Sequence, residues 1–137
     1  MPIRLKPTFA DRLTSSDRAL VGVWTAASSP ITAEIMAGSG ADLVLVDVRV
    51  GEHPGFDRVV LEFAGSGTPG YRVHYVDEVV EQGRGDVIDL EGEAYLSIDA
   101  SGTTYPMEGE EHWDGPRQFE PEDSDVVEEV YVDGTFE

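Results

Sequence analysis

One stretch constrains the fold more than any other: residues 41–63, ADLVLVDVRVGEHPGFDRVVLEF, which predict a strand, a turn and a second strand. The first half is β-branched and almost continuously apolar, as in a strand buried on both faces. The second half alternates, with Val59, Leu61 and Phe63 on one face. GEHPGF between them is rich in turn-forming residues. The change of pattern falls at Asp47 and requires an explanation.

After Asp47 the sequence predicts antiparallel β structure. GYRVHYVD places Tyr71, Val73 and Tyr75 on one face of a strand, and no segment has a helical period long enough for a helix. Between 102 and 125 lies an acidic stretch with three prolines, which predicts a long loop. Further strands are predicted over 86–90, 94–99 and 126–132.

Before Asp47 the pattern predicts helix, strand, helix, strand. Phe9 and Leu13 lie four residues apart and predict a helix over 8–14, ALVGVWT predicts a strand over 19–25, and Pro30 opens a second predicted helix. The predicted fold class is therefore mostly β: a short α/β segment over 1–47, then an antiparallel β-sandwich-like domain over 48–137. We expect that domain to be incomplete at its C-terminus, leaving an exposed sheet edge through which copies could self-associate.

The charge is as uneven as the pattern. Residues 1–47 hold four basic and five acidic side chains, whereas residues 48–137 hold five basic and twenty-three acidic ones, and the whole chain carries −19. Such a field repels phosphate backbones and anionic lipid, so we expect no nucleic-acid partner. A basic protein partner and divalent cations remain open, as does a merely solubilising surface.

The chain has no cysteine, so disulfides and thiolate metal sites are excluded. No run reaches the ~18 apolar residues of a membrane helix, and the opening MPIRLKPTFADRL lacks the apolar region of a secretory signal. We therefore expect no membrane insertion and no signal peptide in this chain. The sequence leaves the localisation unknown.

Residues 1–47 resemble the opening of the HpcH/HpaI class II aldolases, through FADRL, ALVGVW, SSPITAEIMAGSGADLVLVD and the final Asp47. That resemblance implies the start of a (β/α)₈ barrel and metal-dependent cleavage of 2-keto-3-deoxy acids, but a barrel needs roughly 250 residues. The family's acidic residue and catalytic histidine should follow Asp47 directly, where Val48 and Arg49 stand instead. No catalytic residue transfers, so an aldolase remnant without its metal ligands is only the alternative function.

Residues 46–137 resemble the AMIN-like domain family of actinobacterial envelope proteins and lipoproteins. The matching segments are VDVRVGEHPGFDRVVLEF, PGYRVHYVDEV, YPMEGEEHWDGP and VVEEVYVDGTFE. This resemblance implies a non-catalytic envelope module that binds a cell-wall polymer or another partner, and a typically extracytoplasmic location. The two resemblances together predict a chimeric chain joined near Asp47.

Three groups of side chains are candidate sites. His53 and Asp57 could form an acid–base or ligand-binding pair at the predicted hairpin; alternatively Phe56 enters the core while Asp57 pairs with Arg58 on the surface. Tyr75 and Trp113 could belong to an aromatic surface that stacks on sugars, although alternation puts Tyr75 on a core face. EGEEHWD could weakly hold a divalent cation, the one cofactor we consider, or form a solvated loop docked by Trp113. Its donors are Glu108, Glu110, Glu111, His112 and Asp114.

These observations favour a non-enzymatic envelope-type binding or interaction module with an unidentified ligand. The sequence contains no complete catalytic constellation: no serine lies in a G-x-S-x-G context, and no phosphate-binding loop is present.

Overall fold

The structure, a computed structural model, describes residues 9–14, 18–25, 33–81, 83–90 and 94–133. Within these ranges the chain forms strands and irregular segments and no helix. The strands are β1 Phe9–Thr14, β2 Arg18–Thr25, β3 Ala33–Ile35, β4 Asp42–His53, β5 Phe56–Ser66, β6 Gly70–Val76, β7 Val79–Val80, β8 Val87–Ile88, β9 Tyr95–Ser101, β10 Gln118–Phe119 and β11 Val130–Tyr131. The predicted mostly β class is confirmed.

The largest sheet contains four strands in the order β1-β2-β5-β4, and every neighbouring pair is antiparallel. Its centre is the predicted hairpin, in which β4 and β5 are joined by the two-residue turn Pro54-Gly55. β2 pairs with β5 along its whole length, from Arg18 opposite Ala64 to Thr25 opposite Asp57. The sheet therefore contains strands from both sides of Asp47.

A β-bulge explains the change of pattern at Asp47. Leu45 lies opposite Phe63 and Asp47 opposite Glu62, so Val46 is the extra residue and has no partner of its own. Before the bulge the core-facing positions of β4 include Leu43 and Leu45; after it they include Val48, opposite Leu61. The strand therefore changes its alternation by one residue inside the apolar run.

The second sheet has the order β3-β6-β9, again antiparallel, and it packs face to face on the first. Leu43 and Phe63 of the first sheet and Val73 of the second are completely buried between them. Burial of each such side chain contributes roughly 2 kcal/mol. Partly buried residues complete this core: Ala41, Leu45, Leu61, Tyr71, Leu96, Ile98 and Ala100.

Two short hairpin-like pairs complete the described structure: β7 with β8, and β10 with β11. The predicted strand over 94–99 is confirmed as β9, and those over 86–90 and 126–132 are present as the shorter strands β8 and β11. The predicted loop over 102–125 is irregular apart from β10.

The two helices predicted before Asp47 are wrong where the structure describes them. Phe9–Thr14 is a strand that pairs with β2, and Ala33–Ile35 pairs with β6. Backbone pairing with a neighbouring strand outweighed the weak local preference of these short segments. Residues 26–32, where the second helix was expected to begin, lie outside the described ranges.

The expected barrel start is also wrong. In a (β/α)₈ barrel, neighbouring strands run parallel, with helices between them. Here β2 and β4 lie on opposite sides of β5, both antiparallel to it, so the two segments that resemble aldolase strands are not neighbours. The aldolase resemblance has no support in this fold. The division into domains at 1–47 and 48–137 stays a prediction.

Candidate functional site

The hairpin end places His53 and Phe56 opposite each other. Their rings are stacked, with centroids 5.1 Å apart and an angle of 11° between the planes. His53 is exposed and Phe56 half-buried, so Phe56 packs under the imidazole rather than filling the core. The position follows from the turn, because Pro54-Gly55 closes the hairpin directly between them.

Asp57 is completely buried, at the end of the core-facing side of β5. Its Oδ1 accepts a hydrogen bond from the backbone N–H of Asp125 at 3.1 Å, and its Oδ2 accepts from those of Val126 at 2.6 Å and Val127 at 2.9 Å. Three amide donors compensate the cost of burying a carboxylate. Asp57 therefore holds the segment 125–127 against the end of the sandwich, and the surface pairing with Arg58 is wrong.

His53 and Asp57 each have contacts of their own, and these contacts account for both positions without a bond between the two side chains. His53 stacks on Phe56, and both Asp57 oxygens accept bonds from the distant segment. An acid–base role would require the carboxylate to orient the imidazole. That role stays a prediction.

Glu52 lies beside this attachment and faces like charges. Its pKa is raised, mainly by the negative charge of Asp125, then by burial and a hydrogen bond with Asp125, and further by Asp57 and Asp123. The folded chain therefore brings Glu52 and Asp125 together at a cost that disappears when Glu52 takes up a proton.

Trp113 docks residues 102–127, here called the acidic segment, onto the first sheet. Its backbone N–H donates to the carbonyl oxygen of Leu45 at 2.7 Å, next to the bulge. Its half-buried ring lies 6.2 Å from that of Phe119, at an angle of 40°. Gly115 packs so close that an added Cβ would overlap the indole. These contacts agree with a loop docked by its tryptophan.

The residues of the candidate cation site have separate partners. Glu110 accepts from the backbone N–H of Met107, Glu111 pairs with Arg18 at 2.7 Å, and His112 Nδ1 lies 2.9 Å from the carbonyl oxygen of Glu110. No group of three or more His, Cys, Asp or Glu side chains in the described residues could hold a metal ion. Glu108 and Asp114 are exposed. Cation binding stays a prediction without a defined ligand set.

Charged side chains connect this segment to the outer face of the first sheet. Glu62 lies 3.8 Å from Arg18 Nε and 2.6 Å from Arg49 Nη1, and Asp47 lies 2.7 Å from the same Arg49 nitrogen. The hydrogen bonds with Glu62 and Asp47 raise the pKa of Arg49. With Glu111 on Arg18, the row joins β2, β4, β5 and the acidic segment.

Tyr75 lies in the second sheet, opposite Leu96, and is half-buried. Tyr71, two positions before Val73 on the same face, packs against the core. Tyr75 and Trp113 are thus placed in different parts of the sandwich, one in β6 and the other in the acidic segment. A shared aromatic surface for sugars stays a prediction.

Sequence reasoning missed a polar group on the outer face of the second sheet. Ser97 Oγ donates to Asp99 Oδ1 at 2.9 Å, and His74 Nδ1 lies 3.7 Å from Asp99 Oδ2. Arg72 lies opposite Asp99 on one side and Glu34 on the other. The serine contacts the carboxylate and not the imidazole, so this is not the arrangement that activates a nucleophile. Alternation in the sequence places Arg72 and His74 on one face of their strand. Only the strand register shows that Asp99 and Ser97 lie opposite them.

Within the described residues, no helix has the length and apolar character that crossing a bilayer requires. Two antiparallel sheets around a shared core define an antiparallel β-sandwich protein. The family model of the AMIN-like domain matches residues 43–137, and the chain belongs to that family. The match begins in β4, at Leu43. No curated protein matched the chain, and no solved structure did.

Proposed function

We propose that this protein is a non-enzymatic binding or interaction module of the cell envelope, and that its ligand is a cell-wall polymer. The observation that carries the proposal is the AMIN-like match over 43–137, which coincides with the sandwich from β4 onward. Asp57 and Glu111 fit a structural role better than catalysis, because each binds a distant part of the chain: Asp57 the backbone at 125–127, and Glu111 the side chain of Arg18.

The outer face of the second sheet is the candidate surface for such a polymer. Arg72 is exposed, Asp99 is 44% exposed at its side chain and His74 19%. The guanidinium of Arg72 and the carboxylate of Asp99 offer a donor and an acceptor to hydroxyl and amide groups of a polysaccharide or its peptides. The strands hold these side chains in a fixed register, so binding costs little conformational entropy.

Sedimentation with insoluble peptidoglycan tests the proposal. We expect saturable binding that persists at high salt, since a chain of −19 cannot depend on attraction to an anionic polymer. Arg72→Ala and Asp99→Ala should weaken it, whereas Arg84→Ala, an exposed arginine after β7, should not. Sedimentation no greater than that of an unrelated acidic protein would refute the proposal, and equal loss in all three variants would refute the assigned surface.

A further inference from the structure

A loop over 104–113, here called the stapled loop, is fastened at both ends to one edge of β4. The backbone N–H of Thr104 donates to the carbonyl oxygen of Leu43 at 2.7 Å, and that of Trp113 donates to the carbonyl oxygen of Leu45 at 2.7 Å. Because these two acceptors are two residues apart on one strand, the ends of the loop lie close together. Compact surface loops closed in this way are frequently functional.

The stapled loop is also ordered between its ends. Glu110 donates its N–H to the carbonyl oxygen of Met107 at 3.1 Å, while its carboxylate accepts the N–H of Met107 at 2.8 Å. Gly109, with a φ of 85°, supplies the left-handed residue of this turn. Glu111 is held by Arg18. The loop thus presents its side chains from a preformed backbone, which lowers the entropy cost of binding.

Two large apolar side chains project from this backbone into solvent. Met107 is 77% exposed and Tyr105 57% exposed, with the exposed Pro106 between them. Tyrosine and methionine are enriched at protein–protein interfaces, where tyrosine often provides much of the binding energy. Neither side chain contributes to the buried core, so their exposure is not explained by folding.

Exposed acidic side chains follow this pair along the chain and define the chemistry of a partner. Glu108, Glu110 and Asp114 are exposed within the next residues of the chain. A second copy of this chain, or a nucleic acid, would bring more negative charge against them. We propose that the stapled loop is a docking surface for a basic protein segment, with Tyr105 and Met107 entering an apolar recess and the carboxylates facing its lysines and arginines.

A binding titration with synthetic peptides tests this surface on the full chain. The probe is a peptide of alternating lysine and leucine; one control replaces leucine by serine at equal charge. Amide chemical shifts of the protein locate the contact. We expect shifts concentrated in 104–113, and binding of the lysine–serine peptide weaker by roughly tenfold.

Matched variants decide whether the apolar pair carries the binding. The double variant Tyr105→Ser, Met107→Ser should lose roughly tenfold in affinity, whereas Val87→Ser should leave it unchanged, because Val87 is 63% exposed but lies in β8. Circular dichroism spectra of the two variants should match that of the wild type, which checks that both are folded. Equal loss in the two variants, equal binding of the two peptides, absence of binding, or shifts elsewhere would each overturn the proposal. Peptidoglycan sedimentation is independent of these results, so the proposed function and the docking surface can fail separately.

Discussion

The acidic segment is fastened to the sandwich at two places by different chemistry. Near its start, the stapled loop is held by backbone carbonyls of Leu43 and Leu45; near its end, 125–127 is held by the buried carboxylate of Asp57. Every residue has a backbone carbonyl, so the attachment at Leu43 and Leu45 should survive any substitution there that preserves the strand. The second depends on one residue, and a single substitution can remove it.

Removing the Asp57 carboxylate should have the largest effect. Asp57→Ala leaves the N–H groups of Asp125, Val126 and Val127 without their acceptor, and we expect a loss of about 3 kcal/mol in the free energy of unfolding. Urea denaturation measures the loss. Amide hydrogen exchange should accelerate at 125–127 and remain slow at Thr104 and Trp113.

Asp57→Asn is the matched control, because it keeps the shape and one oxygen acceptor but no charge. The free energy of unfolding of Asp57→Asn should lie between those of the wild type and Asp57→Ala. If alanine and asparagine were equally harmless, the buried carboxylate would not hold the segment.

The first attachment should be disturbed most by Gly115→Ala. The new methyl group overlaps the Trp113 ring, so either the indole or the chain at 115 must move, at a cost of about 2 kcal/mol. Tryptophan fluorescence should shift, and exchange at the Trp113 amide should accelerate while that at 125–127 is unchanged. Gly51→Ala is the control, because an added methyl there meets nothing within 4 Å and, as at Gly115, φ is not positive. A Gly115→Ala protein with wild-type fluorescence would contradict the packing.

The ion pair on the stapled loop should contribute less. Arg18 and Glu111 have side chains 36% and 62% exposed, and an exposed pair stabilises by only about 0.5 kcal/mol. Glu111→Gln should therefore have a small effect that disappears in high salt, since ions screen exposed charges. Glu108→Gln, which removes an exposed carboxylate from the same loop, is the control. A salt-independent loss would mean that Glu111 acts by more than its charge.

Glu52→Gln should strengthen the attachment of residues 125–127 to the sandwich. Because the raised pKa of Glu52 means that the folded chain holds this proton more tightly than the unfolded chain, stability should increase as pH falls through the window between the ordinary and raised values. Glu52→Gln should be more stable than wild type at neutral pH, and the difference should vanish below that window. Thermal unfolding across the pH range measures it. A variant less stable than wild type at neutral pH would show that Glu52 and Asp125 do not repel.

The sequence predicted those parts of the fold that depend on local alternation. The hairpin of β4 and β5 and the core face of β6 follow from residues two apart. The bulge at Val46 was hidden, because a one-residue shift inside an apolar run leaves the run apolar. The short strands β1 and β3 were misassigned as helices, because their structure depends on pairing with distant segments.

The candidate sites were harder to predict for the same reason. Asp57 was chosen for its neighbour His53, yet its partners lie about seventy residues away in the chain. Glu111 was grouped with nearby acids, yet its partner is Arg18. Residue spacing drew attention to both side chains, but only the packed structure supplies their partners.

Fastening the stapled loop to β4 also decides where another chain can join the first sheet. An outer strand with unused amide and carbonyl groups is a template for pairing with a second molecule. At β4 the carbonyls of Leu43 and Leu45 are already occupied, and the Val48 amide is taken by the Asp47 side chain at 2.9 Å. Residues 43–48 of β4 are therefore closed to a second molecule, and β1, β3 and β9 are the other outer strands of the two large sheets in the described part of the chain.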